Sequence, residues 1–142
     1  MHIRKILVAY DGSAPSDRAL ALAEDLAGQY AARLELVIVI QPIPALTGEL
    51  PVGLTLPTPE DRRAMELGLE QKAEGLRSRG RLVETHVEVG DPAATLLDFA
   101  DRLGVDLLVA GRSGKGAVAR AFMGSVTTSL LHRSTRPVCV VP

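Results

Sequence analysis

The sequence predicts an α/β fold, a single open parallel sheet of five strands with helices on both faces, and three observations point to it. Short runs without polar residues, such as Ile6-Leu7-Val8-Ala9 and Leu107-Leu108-Val109-Ala110, have the composition of strands buried on both faces. Longer segments with helix start signals lie between such runs, and this alternation implies parallel strands joined by right-handed crossovers. A chain of 142 residues, 46% hydrophobic and 23% charged, supplies one globular core and has no room for a second, so residues 1–142 are expected to form one domain.

Composition excludes several function classes. Aromatic residues make up 3% of the chain and Trp is absent, so the core is aliphatic and base stacking on nucleic acid is disfavoured. A formal net charge of -1 argues against broad binding to DNA or to an anionic membrane. No run approaches the roughly 20 apolar residues of a membrane-spanning helix. Arg4 and Lys5 precede an apolar run that ends at Asp11, too short for a secretory signal, so a cytoplasmic location is expected. The single cysteine, Cys139, rules out an internal disulfide and reads as a small core residue.

The elements follow in order. After the first strand, Asp11-Gly12-Ser13 forms a turn, and Pro15, Ser16 and Asp17 open a helix whose stripe is Leu20, Leu22, Ala23, Leu26 and Ala27. Asp11, at the carboxyl end of that strand, stands where open α/β sheets bind ligands; an Asx turn would use the same carboxylate. Arg33 to Ile40 is a second buried strand. From Gln41 to Pro59, prolines at 42, 44, 51, 57 and 59 break regularity, and the segment reads as a long surface excursion or as a flap over a ligand or partner. A helix then runs from Glu60 and Asp61 to about Arg79, its charges complementing the helix dipole. Leu82 to Val89 alternates, with Val83, Thr85, Val87 and Val89 on one face and Glu84, His86 and Glu88 on the other, as in a half-exposed edge strand. His86 therefore reads as a solvated face residue, and no second histidine lies near it at metal-binding spacing. Asp91-Pro92 caps a helix carrying Leu96, Leu97, Phe99, Ala100 and Leu103, the fourth strand is Asp106 to Ala110, and Pro137 to Val141 is a fifth strand without charge.

Between the last two strands lie Gly111, Gly114, Gly116 and the pair Gly124-Ser125, and the segment from Gly111 onward carries Arg112, Lys115, Arg120, Arg133 and Arg136 with no Asp or Glu. Glycines admit close approach to backbone N–H groups, and a helix starting near Gly124 would aim its dipole at the same anion, so the stretch reads as a phosphate cradle. A glycine-rich turn before a basic solvated helix is the plainer alternative. It is not a P-loop, since Val109 stands for the first glycine and Gly116 for the magnesium-binding hydroxyl, nor does it follow the dinucleotide spacing.

Gly111, Gly114, Gly124 and Ser125 fit G-x2-G-x9-G-[ST], which resembles the signature of the ATP-binding branch of the universal stress protein family. Val8-Ala9-Tyr10-Asp11-Gly12-Ser13, Gly90-Asp91-Pro92 and Arg136-Pro137-Val138-Cys139-Val140-Val141 are similar to that family as well. The resemblance implies a Rossmann-like sheet of the adenine nucleotide alpha hydrolase type, with strand order 3-2-1-4-5. It implies ATP, with or without Mg²⁺, bound between strands one and four. Ala9 and Asp11 would lie near adenosine, Val39 would meet adenine through its backbone, and Gly111 and Gly114 would approach ribose and phosphates. Gly124, Ser125 and Val126 would face the phosphate chain. Arg112 stands one place earlier than the basic residue common in the family and is carried as a further contact. The fifth strand would be an apolar edge, which risks aggregation unless covered, and a second copy pairing through Val138 to Val141 is expected to cover it.

Phosphoryl transfer needs a positioned nucleophile, a metal site and charge stabilisation, and Asp11 is the sole well-placed carboxylate. No catalytic or metal-ligating residue is assigned. Binding is favoured over turnover, giving a nucleotide-dependent homodimeric regulator in the stress response whose protein partner the sequence leaves open. A slow ATP hydrolase or phosphotransferase, and a ligand-free interaction module, are the alternatives.

Overall fold

The computed structural model describes residues 1–47, 50–113 and 123–142, with 43–47 and 50–55 described at the level of the backbone. The elements are β1 (Lys5–Ala9), α1 (Ala14–Tyr30), β2 (Arg33–Ile40), β3 (Ile43–Thr47), β4 (Leu50–Thr55), α2 (Pro59–Ser78), β5 (Leu82–Val89), α3 (Pro92–Leu103), β6 (Leu107–Gly111), α4 (Ser125–Arg133) and β7 (Val138–Val141). Five strands form one parallel sheet in the order β5-β2-β1-β6-β7, which is the expected 3-2-1-4-5 arrangement.

Alternation along the central strands divides the core into two layers. Ile6 and Val8 of β1 pack with Leu20 and Ala23 of α1 and Leu69, Ala73 and Leu76 of α2. Leu7 faces the other side, with Leu96, Phe99 and Ala100 of α3 and Leu130 of α4. A strand with a helix layer on each face has no solvated side, which is why β1 reads as an unbroken apolar run.

Helix starts follow local chemistry. Ser13 caps α1 by accepting the Ser16 N–H at 3.3 Å, and Asp91 caps α3 by accepting the Ala94 N–H at 2.9 Å. Thr58 and Asp61 form a reciprocal capping box on α2. Gly124 stands at the N-cap of α4 and supplies no side chain for that role.

Two expectations are corrected. The excursion from Gln41 to Pro59 contains an antiparallel hairpin, β3 against β4, with Ile43 opposite Thr55 and Thr47 opposite Leu50. In a two-stranded ribbon both strands are edges, so Pro44 and Pro51 are tolerated without breaking it. His86 is not a solvated face residue: its side chain is 25% exposed and its Nε2 lies 2.8 Å from Oε2 of Glu35, which is 4% exposed. The sheet face that alternation marks as polar is covered at this point by α3, whose Phe99 ring meets the imidazole edge-on at 5.1 Å.

Several carboxylates are held below their usual range. The Arg4 and Lys5 backbone N–H groups do this for Asp106, the Arg77 guanidinium and Thr85 hydroxyl for Glu70, and the Arg79 guanidinium for Glu24. A carboxyl group depressed on folding contributes stability in full above its unfolded pKa and loses it as pH falls through the folded one. Denaturant midpoints are therefore expected to hold from neutrality down to about pH 4, the unfolded carboxylate range, and to decline progressively below it. A midpoint insensitive to acid between pH 4 and 2 would contradict these pairings.

Candidate functional site

A cavity of about 440 Å³ opens at the carboxyl ends of β1, β2 and β6, where the chain direction of the sheet's construction reverses. Its position follows from strand length. β1 pairs with β2 only as far as Ala9 opposite Val37, whereas β2 continues with β5 to Ile40 opposite Val89. The overshoot makes a wall, and Val39 stands on it.

The structure brings most of the sequence-named residues together here. Ala9, Asp11, Val39, Gly111, Gly124, Ser125 and Val126 all line the cavity. Arg112 does not line it, and Gly114 lies outside the described residues. Asp11 makes the Asx turn that the sequence allowed, its Oδ1 accepting the Ser13 N–H at 2.9 Å, and it borders the cavity at the same time.

Gly111 has a packing reason of its own. A Cβ there would stand 2.7 Å from Pro15 Cβ, 2.8 Å from the Pro15 carbonyl carbon and 2.9 Å from the Ser16 nitrogen. The missing side chain makes room for the N-terminus of α1 to lie across the end of β6, and that contact shapes one side of the cavity.

Opposite stands the first turn of α4, a helix of nine residues. The N-termini of α1, α2 and α3 receive side-chain caps, whereas Gly124 offers none to the first N–H groups of α4, and Ser125, Val126 and Thr127 border the cavity. Uncapped N–H groups and the positive end of the helix dipole suit an anion. The turn is held rigidly, since the Thr127 hydroxyl donates to the Gly111 carbonyl at 2.7 Å and the Gly124 N–H to the Arg112 carbonyl at 2.8 Å.

Sequence reasoning missed Ser16, Gln41, Leu96 and Thr127, which also line the cavity. Thr127 carried a readable signal, as the residue after Val126 in the same helical turn. Leu96 carried none, because its role depends on α3 packing over the sheet. Beside the cavity, the Tyr10 hydroxyl donates to Asp17 at 2.7 Å and Lys72 Nζ lies 3.0 Å from the same oxygen. The Tyr10 hydroxyl lowers the pKa of Asp17, with Lys72 adding to the effect, and burial is the main reason the tyrosine's own pKa is raised.

A second cavity, of about 460 Å³, lies between α2 and the outer side of β5. Its charged lining is largely engaged within the chain: Arg62 with Glu66 at 3.1 Å, and Glu70 with Arg77. It also lies away from the strand ends, so the first cavity is the better candidate. Among the described residues no group of three metal-ligating side chains occurs, and no helix is long and apolar enough to cross a membrane.

Comparison with known proteins bears on the family and the fold. The family model described as Universal stress protein family matches residues 2–142. A universal stress protein of Mycolicibacterium smegmatis is 34% identical over 140 residues, covering 96% of this chain and 47% of its own length, so the chain spans about half of that protein. The universal stress protein in the QAH/OAS sulfhydrylase 3' region of Thermus aquaticus is 33% identical, with 97% and 98% covered. Universal stress protein UspA from Lactobacillus plantarum superposes with a TM-score of 0.81 at 20% identity, over 100% of this chain and 99% of its own. A universal stress protein solved in complex with cAMP gives a TM-score of 0.73 at 24% identity, over 99% and 98%. One from Archaeoglobus fulgidus solved in complex with dAMP gives 0.71 at 23%, over 100% of both chains. The chain belongs to the universal stress protein family.

Proposed function

We propose that this chain is a cytoplasmic stress-response regulator that binds ATP, with or without Mg²⁺, and acts as a nucleotide-dependent homodimeric switch. The observation that carries the reading is the uncapped N-terminus of α4 opening into a cavity whose far wall bears Val39. That arrangement offers N–H groups to phosphate at one end and aliphatic surface to a base at the other. The cAMP and dAMP complexes of proteins with this fold support an adenine nucleotide as the ligand class. Regulation is favoured over turnover because Asp11, the carboxylate bordering the cavity, is already engaged in its turn.

Thermal unfolding with and without ATP and Mg²⁺ tests this. ATP at about 100 times its dissociation constant stabilises the native state by about 2.7 kcal/mol, a shift of several degrees in a chain of this size. Gly124→Glu should abolish the shift, because a carboxylate then stands where the anion would sit. Gly124 has φ −65° and ψ 154°, which glutamate adopts without backbone strain, and circular dichroism of the variant checks that the fold is kept. Absence of any shift with ATP, ADP or AMP in the wild type would remove the nucleotide reading.

A further inference from the structure

We propose that Thr127 is a positioning residue of the nucleotide site, whose buried hydroxyl occupies the Gly111 carbonyl and so keeps a backbone acceptor from facing the bound phosphates. The inference rests on the nucleotide reading above and adds to it a residue and a selectivity, since its effect must scale with the charge of the ligand.

Strand register says where the Gly111 carbonyl points. Leu108 and Arg112 donate their N–H groups to the Pro137 and Val141 carbonyls, so both residues turn their backbone polar groups toward β7. By alternation, Gly111 turns its own toward β1. The register of β1 with β6 ends at Ala9 opposite Ala110, so β1 stops short of covering the Gly111 carbonyl. That oxygen opens past the end of β1, into the crevice where Gly111 lines the cavity.

An uncovered carbonyl at this position works against the ligand. Its oxygen carries the negative end of the peptide dipole, and a phosphate beside it in a cavity is repelled more strongly than it would be in water. Thr127 removes the conflict. Its hydroxyl donates to the Gly111 carbonyl at 2.7 Å, from a residue only 4% exposed. The next residue shows what a helical threonine does by default: the Thr128 hydroxyl bonds back to the Gly124 carbonyl, four residues earlier, at 3.0 Å. Thr127 instead directs its hydroxyl out of the helix, to the strand end.

Elsewhere the chain covers free strand carbonyls with cations. On the outer edge of β5, Val83 accepts from Arg77 Nε and Nη2 at 3.1 and 2.7 Å, and Val87 accepts from Arg62 Nη2 at 2.7 Å. Inside the cavity the same task falls to a neutral hydroxyl on a short stem, which takes little of the space a ligand needs. The bond also runs from the end of β6 to the first turn of α4, so it holds the N–H groups of that turn in place while it takes up the acceptor set against them. The Arg112 carbonyl, next along the chain, is taken up in turn by the Gly124 N–H at 2.8 Å.

Titration of the full chain with ATP, AMP and adenosine, in the wild type and in Thr127→Val and Thr127→Ser, tests the proposal. Thr127→Val keeps the shape of the side chain and removes the donor. The dissociation constant for ATP should rise at least about fivefold, that for AMP by less, and that for adenosine by under about twofold. Thr127→Ser returns the hydroxyl and should bring ATP back to within about twofold of wild type. Should the valine unfold the chain, Thr127→Ala serves instead, because it removes the same donor and favours the helix. If adenosine binds too weakly to titrate, the losses of ATP and AMP are compared. A loss shared equally by the ligands overturns the proposal, because packing alone then accounts for Thr127, and so does an ATP affinity that the valine leaves unchanged; both leave the nucleotide reading intact. Failure of the wild type to bind ATP removes the nucleotide reading, and this inference falls with it.

Discussion

His86→Ala is expected to lower the free energy of unfolding by about 1–3 kcal/mol, because it leaves the Glu35 carboxylate buried without its imidazole partner. The loss comes from the acceptor left behind more than from the contact removed. Glu35→Leu with His86→Leu should therefore recover most of the stability, since two aliphatic side chains then fill the space against Phe99 with no polar group to satisfy. Glu35→Leu alone should cost less than His86→Ala, because the histidine is the more exposed partner and can turn to water. Urea unfolding of the three variants measures the ranking. A double variant as unstable as His86→Ala would show that shape, and not the unpaired polar group, dominates this site.

Gly111→Val is expected to destabilise the chain by about 1–3 kcal/mol, as overpacking does where backbone must move. The added carbon meets the Pro15 and Ser16 backbone, so α1 has to shift off the end of β6. Gly28→Ala is the contrasting case. Its Cβ would approach Arg81 Nη2 at 2.6 Å, but that atom is the tip of a flexible side chain, and alanine improves helix propensity inside α1. Denaturant midpoints should therefore separate the two glycines clearly, with Gly28→Ala close to wild type. Equal losses would mean that the Arg81 guanidinium is as fixed as backbone.

What could be read in advance follows from how local each signal is. Ile6-Leu7-Val8 announces a doubly covered strand because burial on both faces leaves its mark on three adjacent residues. The meeting of Gly111, Gly124, Ser125 and Val126 at one cavity was legible for the same reason, since they lie at the end of β6 and the start of α4, the next element described along the chain. The β3–β4 hairpin was not legible, since its pairing sets Ile43 against Thr55 and prolines masked the strand pattern. His86 shows the other limit. Alternation assigns a residue to a face, but only the packed structure reveals that α3 covers that face, or that Glu35 from the adjacent strand stands beneath it.

The guarded outer side of β5 has a consequence for aggregation. A sheet with two bare edges can recruit a neighbour at each end and grow without limit, as fibres do. Here Arg62 and Arg77 of α2 occupy the Val87 and Val83 carbonyls on the β5 edge, so a strand adding there has first to displace both guanidinium groups. The guanidinium groups of Arg62 and Arg77 thus guard this edge, and they come from the same helix that covers one face of the core.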